Sequence, residues 1–213
     1  MWVVVFYITG RMNYFEFFSL PRHLRVDVLA LEKQFYVLSR KLHPDRFAGK
    51  SVEEQEAALA QASLLNDAYR TLKDRIARTQ YLLTLEGVQL EEQSKSATDA
   101  ARVSGEQKKQ IVPPELLEEV FELNMQLAEM RANKQMGDDE PELRRELMTA
   151  KDAFDEKMVQ TQADLEGLWS KWDAAVDAND EPGKLAARDA MVTLLNKRSY
   201  LRNLVRDVNE ALE

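Results

Sequence analysis

The stretch Leu42-His43-Pro44-Asp45-Arg46-Phe47 is a polar break between two strongly helical segments. On its N-terminal side, apolar residues recur with alternating three- and four-residue spacing, which is typical of one face of a helix. These residues are Val28, Leu31, Phe35, Leu38 and Leu42. Because Pro44 has no amide hydrogen and disfavours helical geometry in the residue before it, the helix is predicted to end at Leu42.

A second helix is predicted to begin after the break, at Ser51. Ser51 and Glu54 have the spacing of a capping box, in which a hydroxyl and a carboxylate each accept a hydrogen bond from an otherwise unpaired amide. Its inward-facing residues are Ala58, Ala62, Leu65, Tyr69 and Leu72. The two helices then form an antiparallel hairpin that presents His43, Pro44 and Asp45 in its loop. The simplest interpretation of these three residues is a solvated loop after a helix-stopping proline.

The composition favours an all-α protein. Of 213 residues, 45% are hydrophobic and 31% charged, with only seven Gly and six Pro, a balance that favours long helices over sheets. The absence of cysteine excludes disulfides and thiolate metal sites, and the two histidines, His23 and His43, leave little basis for a histidine metal site. We therefore expect no metal and no cofactor.

The net charge of -8 is distributed unevenly along the chain. Residues 12–86 carry 11 basic and 10 acidic side chains, whereas residues 87–213 carry 17 basic and 27 acidic ones. Nucleic-acid binding depends on basic contacts to phosphate, so the acidic C-terminal part argues against a nucleic-acid partner.

Residues 1–11 contain an apolar run over residues 2–8, without a basic start or a small-residue cleavage site. The run is too short to cross a bilayer and lacks the pattern of a signal peptide. We expect either a strand-like tail or an extension upstream of the natural start, on a cytoplasmic protein that does not bind membranes.

Residues 12–87 form the first predicted domain, built around the hairpin. A cluster of Phe15, Phe17, Phe18 and Leu20 is expected to dock on it. Asp27 is expected to cap the first long helix, and a third helical segment is expected to end at Gly87. The polar residues 88–114 are typical of a linker and close with two prolines.

Residues 115–213 are predicted to form an antiparallel three-helix bundle. The first helix is expected to end near Gly137, and the second to have Pro141 in its first turn and to continue to about residue 178. The third is expected to start after the helix-breaking turn 179–183. Its predicted buried residues are Leu185, Val192, Leu195, Leu204, Val208 and Leu212.

The first helix of this bundle carries two apolar lines. One is a complete core stripe of Leu116, Val120, Leu123, Leu127 and Met130. Leu117, Phe121 and Met125 form a second line, displaced by about 140° at 100° per residue. Either the helix is buried on two sides, or the second line is an exposed partner-binding patch edged by Glu118, Glu122 and Glu129.

Residues 12–87 resemble the J domain, the module by which DnaJ-type co-chaperones act on a DnaK-class ATPase. The resemblance lies in His43-Pro44-Asp45 at the end of an amphipathic helix, Phe47, and Leu65 to Leu72 on the next helix. It implies that the tripeptide and a basic strip of Lys33, Arg40 and Lys41 bind the ATPase. Tyr36 and Val37 stand where many J domains carry Lys and Arg. Arg75 replaces the usual proline after Asp74, so a bend and a continuous helix both remain open there.

The whole layout resembles the HscB family of J-proteins of iron-sulfur cluster assembly. The most specific matches beyond the tripeptide are Tyr14-Phe15, Tyr81 to Leu83 and Leu117 to Glu122. The resemblance implies stimulation of the HscA ATPase, delivery of an IscU-type scaffold protein, and no active site. It assigns scaffold binding to Leu117, Glu118, Phe121, Glu122 and Tyr200. The second apolar line adds Met125, which stands where the family usually carries an acidic residue. We expect a monomer, with weak self-association as the alternative.

Two other functions remain as alternatives. One is a J-protein that delivers a different client. The other is an enzyme that uses His43 as a general base oriented by Asp45. Residues two apart around a proline need not face each other, and no nucleophile or set of oxyanion donors is evident nearby. We therefore expect a protein that is not an enzyme.

Overall fold

The computed structural model describes residues 12–90, 112–137 and 140–213, and the regular structure in these ranges is helical. The expectations for residues 1–11 and for most of the linker lie outside them. The α-helices are α1 (Tyr14–Phe17), α2 (Val28–Leu42), α3 (Val52–Lys73), α4 (Arg75–Leu85), α5 (Leu117–Met136), α6 (Pro141–Asp177) and α7 (Glu181–Leu212). Short 3₁₀ turns span Pro44–Phe47 and Pro114–Leu116. No described helix combines the length and the apolarity needed to cross a membrane.

The hairpin of α2 and α3 begins and ends as the local sequence predicts. The Asp27 carboxylate accepts hydrogen bonds from two amides of the first turn of α2, and His43 leaves the helix with extended geometry before the proline. Ser51 and Glu54 form the predicted capping box at the start of α3. These short-range hydrogen bonds satisfy amides that the helix itself leaves unpaired.

The chain breaks between α3 and α4 even though no proline is present. Asp74 has an extended backbone, with ψ of 129°, and its side chain accepts a hydrogen bond from the Ala77 amide at 2.7 Å. One residue therefore ends α3 and caps α4, which settles the alternative left open by Arg75. Gly87 follows the end of α4 with φ of 79°, a conformation that favours glycine.

Two compact units divide the described chain, and the described residues of the first are 12–88 together with Trp169–Ala187. Aromatic side chains of α1 and of the residue after it lie in its core: Phe15, Phe17 and Phe18 are buried, and Tyr14 stacks on Tyr81 with ring centroids 4.3 Å apart. The other large buried residues of this unit include Leu24, Leu31, Leu65, Leu72, Leu82 and Leu83. Each such apolar side chain contributes about 1.5–3 kcal/mol on burial.

The end of α6 belongs to this first unit through specific polar contacts. The buried Asp173 carboxylate accepts hydrogen bonds from the amides of Leu24, at 2.7 Å, and Arg25, at 3.0 Å. The Trp172 indole donates to the Arg22 carbonyl at 2.9 Å. Polar side chains of α6 thus form hydrogen bonds with backbone groups of the segment between α1 and α2. The sequence alone had assigned residues 169–187 to the second domain.

The second unit comprises the described residues between 89 and 168 together with Arg188–Glu213, and it packs α5 against parts of α6 and α7. Its core includes the predicted stripe of α5 with Leu143, Leu147 and Phe154 of α6 and Leu201, Leu204 and Val208 of α7. Ion pairs link the helices at its surface, with Lys157 to Glu119 and Lys197 to Glu115 both at 3.1 Å.

The start of α7 differs from the sequence prediction. The helix begins at Glu181, so Pro182 lies in its first turn, where its missing amide hydrogen costs nothing. The Gly183 amide donates to the Asp180 side chain at 3.1 Å, which caps the helix. The expected burial of Leu185 was wrong because this side chain is exposed, and Ala187 and Met191 are buried in this part of α7 instead.

Candidate partner-binding sites

The His-Pro-Asp turn (His43, Pro44 and Asp45) lies on a short 3₁₀ turn between α2 and α3. Pro44 occupies the first position of the turn, and the Asp45 amide donates to Nδ1 of His43 at 3.3 Å. The Arg46 amide donates to the His43 carbonyl at 3.0 Å. The backbone is therefore fixed by local hydrogen bonds, while the side chains of His43 and Asp45 are exposed.

The side chains of His43 and Asp45 approach each other more closely than their spacing around a proline suggested. His43 Nδ1 lies 3.5 Å from Asp45 Oδ2. In neutral imidazole, Nδ1 must hold a lone pair to accept the Asp45 amide, so the proton is on Nε2. A carboxylate that orients a general base instead accepts a proton held on Nδ1. The geometry therefore gives little support to the enzymatic alternative.

Two side chains outside the sequence prediction hold the loop. The Arg46 guanidinium donates to the Arg40 carbonyl at 3.3 Å, at the end of α2. The side-chain Nε2 of Gln55 in α3 donates to the carbonyls of Ala48, at 3.4 Å, and Lys50, at 3.0 Å. The residue types gave no signal for these roles, because such contacts appear only once the hairpin is folded.

The α2 outer face (Leu29, Lys33, Tyr36, Val37, Arg40 and Lys41) is exposed along its whole length. Its three cations, Lys33, Arg40 and Lys41, form no ion pair with the described part of the chain. Arg40 and Lys41 lie in the last turn of α2, where positive charge also favours the helix. This places the three predicted cations on the helix that leads into the His-Pro-Asp turn.

The α5 patch (Leu117, Phe121 and Met125) lies on the solvent side of α5. The three side chains are 56%, 69% and 60% exposed, whereas the five residues of the other stripe are all buried. Among the described residues, α5 is therefore buried on one side only. Exposed large apolar side chains aligned on one helix are typical of a surface that another protein covers.

The acidic residues around the α5 patch divide into two groups. Glu118, Glu122 and Glu129 are exposed, as the sequence predicted. Glu115 and Glu119 instead pair with lysines of α7 and α6. A backbone hydrogen bond, helped by the ammonium of Lys197, lowers the pKa of the Glu115 carboxyl. Two carboxylates therefore link α5 and the 3₁₀ turn before it to the neighbouring helices, and three form the edge of the patch.

Tyr200 lies in the core of the second unit, and its predicted place on the scaffold-binding surface needs correction. Only 8% of its surface is exposed, and it packs in the cluster that contains Leu116 and Leu201. Burial raises the pKa of its phenol, with a further contribution from Asp207. A ring packed in this way offers little surface to a partner.

Curated relatives of this chain are co-chaperones. It is 35% identical over 172 residues to the co-chaperone protein HscB homolog of Vibrio cholerae serotype O1 strain M66-2, covering 78% of this chain and 86% of the relative. It is 38% identical over 90 residues to the co-chaperone protein HscB of Proteus mirabilis, covering 42% of this chain and 52% of that protein. No protein-family model matches the chain.

Solved structures give the same result for the fold. The structure of chaperone HscB from Vibrio cholerae aligns with a TM-score of 0.54 and 28% identity, covering 94% of this chain and 100% of that one. The crystal structure of human co-chaperone protein HscB aligns with the same TM-score at 22% identity, covering 94% and 82%, and supports the fold alone. The chain belongs to the HscB family of co-chaperones.

Proposed function

We propose that this co-chaperone stimulates ATP hydrolysis by a DnaK/HscA-class chaperone through its His-Pro-Asp turn. The exposed Asp45 carboxylate is available to accept charge-assisted hydrogen bonds from an arginine of the partner. The local hydrogen bonds of the turn fix the backbone that carries Asp45 before the partner arrives, which reduces the entropy lost on binding. The cations of the α2 outer face add long-range attraction to an acidic ATPase surface.

The second unit is proposed to carry an IscU-type iron-sulfur scaffold protein on the α5 patch. The observation that carries this proposal is the exposure of Leu117, Phe121 and Met125 on a helix whose other stripe is fully buried. A cluster of apolar anchors with a charged edge is the usual anatomy of a protein interface. The acidic edge favours a scaffold surface with basic side chains.

In this proposal the chain acts as an adaptor and performs no chemistry of its own. Carrying both binding sites in one polypeptide raises the effective concentration of the scaffold at the chaperone without any additional contact. A J-protein that delivers a different client would have the same hairpin, so the α5 patch and its partner distinguish the two possibilities.

The test is a reconstitution with an HscA-class ATPase and an IscU-type scaffold from the same genome. Single-turnover ATP hydrolysis is expected to accelerate when this chain is added, and to accelerate further when the scaffold is present. If the chain accelerates hydrolysis but the scaffold neither binds nor adds to the effect, a different client is indicated. A pull-down from cell extract, read by mass spectrometry, would then identify it. Hydrolysis that is unchanged by the chain would reject the proposal.

A further inference from the structure

The α2 outer face contains large apolar side chains that lie mostly outside the core, although the Tyr36 ring also makes an edge contact with Phe35 at a centroid distance of 5.6 Å. Leu29, Tyr36 and Val37 are 71%, 57% and 53% exposed. The packing of α2 is supplied by other residues, with Leu31 buried and Phe35 stacked on Tyr69 at a centroid distance of 4.2 Å. Isolated exposed apolar residues are common, but here three lie on the outer side of one helix and two of them are adjacent.

These apolar side chains alternate with cations along one line of the helix. Leu29, Lys33, Tyr36 and Arg40 fall within about 60° of one another at 100° per residue. Val37 and Lys41 lie on one flank of that line. Arg40 and Lys41 lie in the last turn of α2, where positive charge stabilises the helix, and this explains why they are present. It does not explain Lys33 or the apolar residues.

We propose that Tyr36 and Val37 insert into an apolar depression, bordered by acidic side chains, on the chaperone ATPase, so that the α2 outer face binds by apolar contact as well as by charge. The inference rests on the proposed function, because its partner is the ATPase assigned there. Tyr36 and Val37 lie about 10 Å before His43 at 1.5 Å per residue, so this surface is continuous with the His-Pro-Asp turn.

A second copy of the chain is a poorer occupant. In a symmetric pair the same face would meet itself, and Lys33 and Arg40 of each copy would lie against those of the other. Like charges brought together in an interface oppose association. An acidic partner surface instead neutralises these cations while its apolar part covers the tyrosine and the valine.

The test is a Tyr36→Ala/Val37→Ala variant of the full chain, assayed by single-turnover ATP hydrolysis with an HscA-class ATPase. The concentration that gives half-maximal stimulation is expected to rise about tenfold, as for the loss of interface anchors. The rise should be similar at about 0.05 M and about 0.3 M salt, since apolar contact is not screened. The maximal rate should not change, because the His-Pro-Asp turn is intact. Leu59→Ala, an equally exposed apolar residue on α3, is the matched control.

Three results would overturn this inference. One is a half-maximal concentration within about twofold of the wild type in a folded double variant. Another is an equal rise for Leu59→Ala, and the third is a rise that disappears at high salt. An Asp45→Ala chain measured in parallel keeps the inference separate from the proposed function. If Asp45→Ala abolishes stimulation while the double variant behaves as wild type, only the inference fails. If Asp45→Ala stimulates normally, the proposed function fails.

Discussion

Asp45 and His43 are both exposed, so their contribution to function can be separated from stability. Asp45→Ala or His43→Gln is expected to abolish stimulation of a DnaK-class ATPase. The first variant lacks the carboxylate that would bind the ATPase, and the second lacks the imidazole ring that accepts the Asp45 amide in the turn. Neither side chain is part of the core, so the midpoint of thermal unfolding should change little. Single-turnover hydrolysis and circular dichroism measure the two effects. An Asp45→Ala chain that stimulates like wild type would contradict the assignment.

Asp173 is the opposite case, a buried carboxylate whose role is structural. Asp173→Ala would leave the Leu24 and Arg25 amides without their acceptor, which is expected to destabilise the first unit by about 1–3 kcal/mol. Trp169 and Trp172 lie in the same unit, so urea unfolding followed by tryptophan fluorescence reports the change. The control is Asp177→Ala, which removes an exposed partner of His23 and should lower the free energy of unfolding much less. Equal unfolding free energies for the two variants would show that the Asp173 hydrogen bonds are not important.

The helices whose ends are set by neighbouring residues could be predicted from sequence. The caps of α2 and α3 require only Asp27, Ser51 and Glu54, which act within four residues of their own position. The start of α7 was misplaced because proline and glycine were taken to break the helix, although a proline is also compatible with its first turn. Tyr200 was misplaced because only tertiary packing decides which side of a long amphipathic helix a ring faces.

The α2 outer face supports a prediction about salt. Arg40→Glu or Lys41→Glu is expected to slow association with the ATPase, since each reversal replaces an attractive charge with a repulsive one next to the His-Pro-Asp turn. The wild-type interaction should weaken as salt screens these charges, and each reversal should reduce that dependence. Stopped-flow association rates at several salt concentrations measure both effects. If the association rates change neither with salt nor with either charge reversal, these cations are not part of the binding surface.

Across the whole chain, two compact units carry two surfaces with different chemistry, and a client-binding defect should therefore leave chaperone activation intact. Leu117→Ala/Phe121→Ala is expected to weaken scaffold binding by about 2–4 kcal/mol, because both side chains are exposed anchors of the α5 patch. Stimulation of the ATPase by the chain alone should be unchanged, since the His-Pro-Asp turn lies in the other unit.

Isothermal titration calorimetry with an IscU-type scaffold measures this loss. Met148→Ala on α6 is the matched control, because it removes a similarly exposed apolar side chain from the same unit but not from the α5 patch. Truncation of exposed side chains leaves the core of α5 intact, so both variants should remain folded. A folded double variant that binds the scaffold with wild-type affinity would place the client surface elsewhere. Loss of binding in Met148→Ala as well would extend the surface from α5 onto α6.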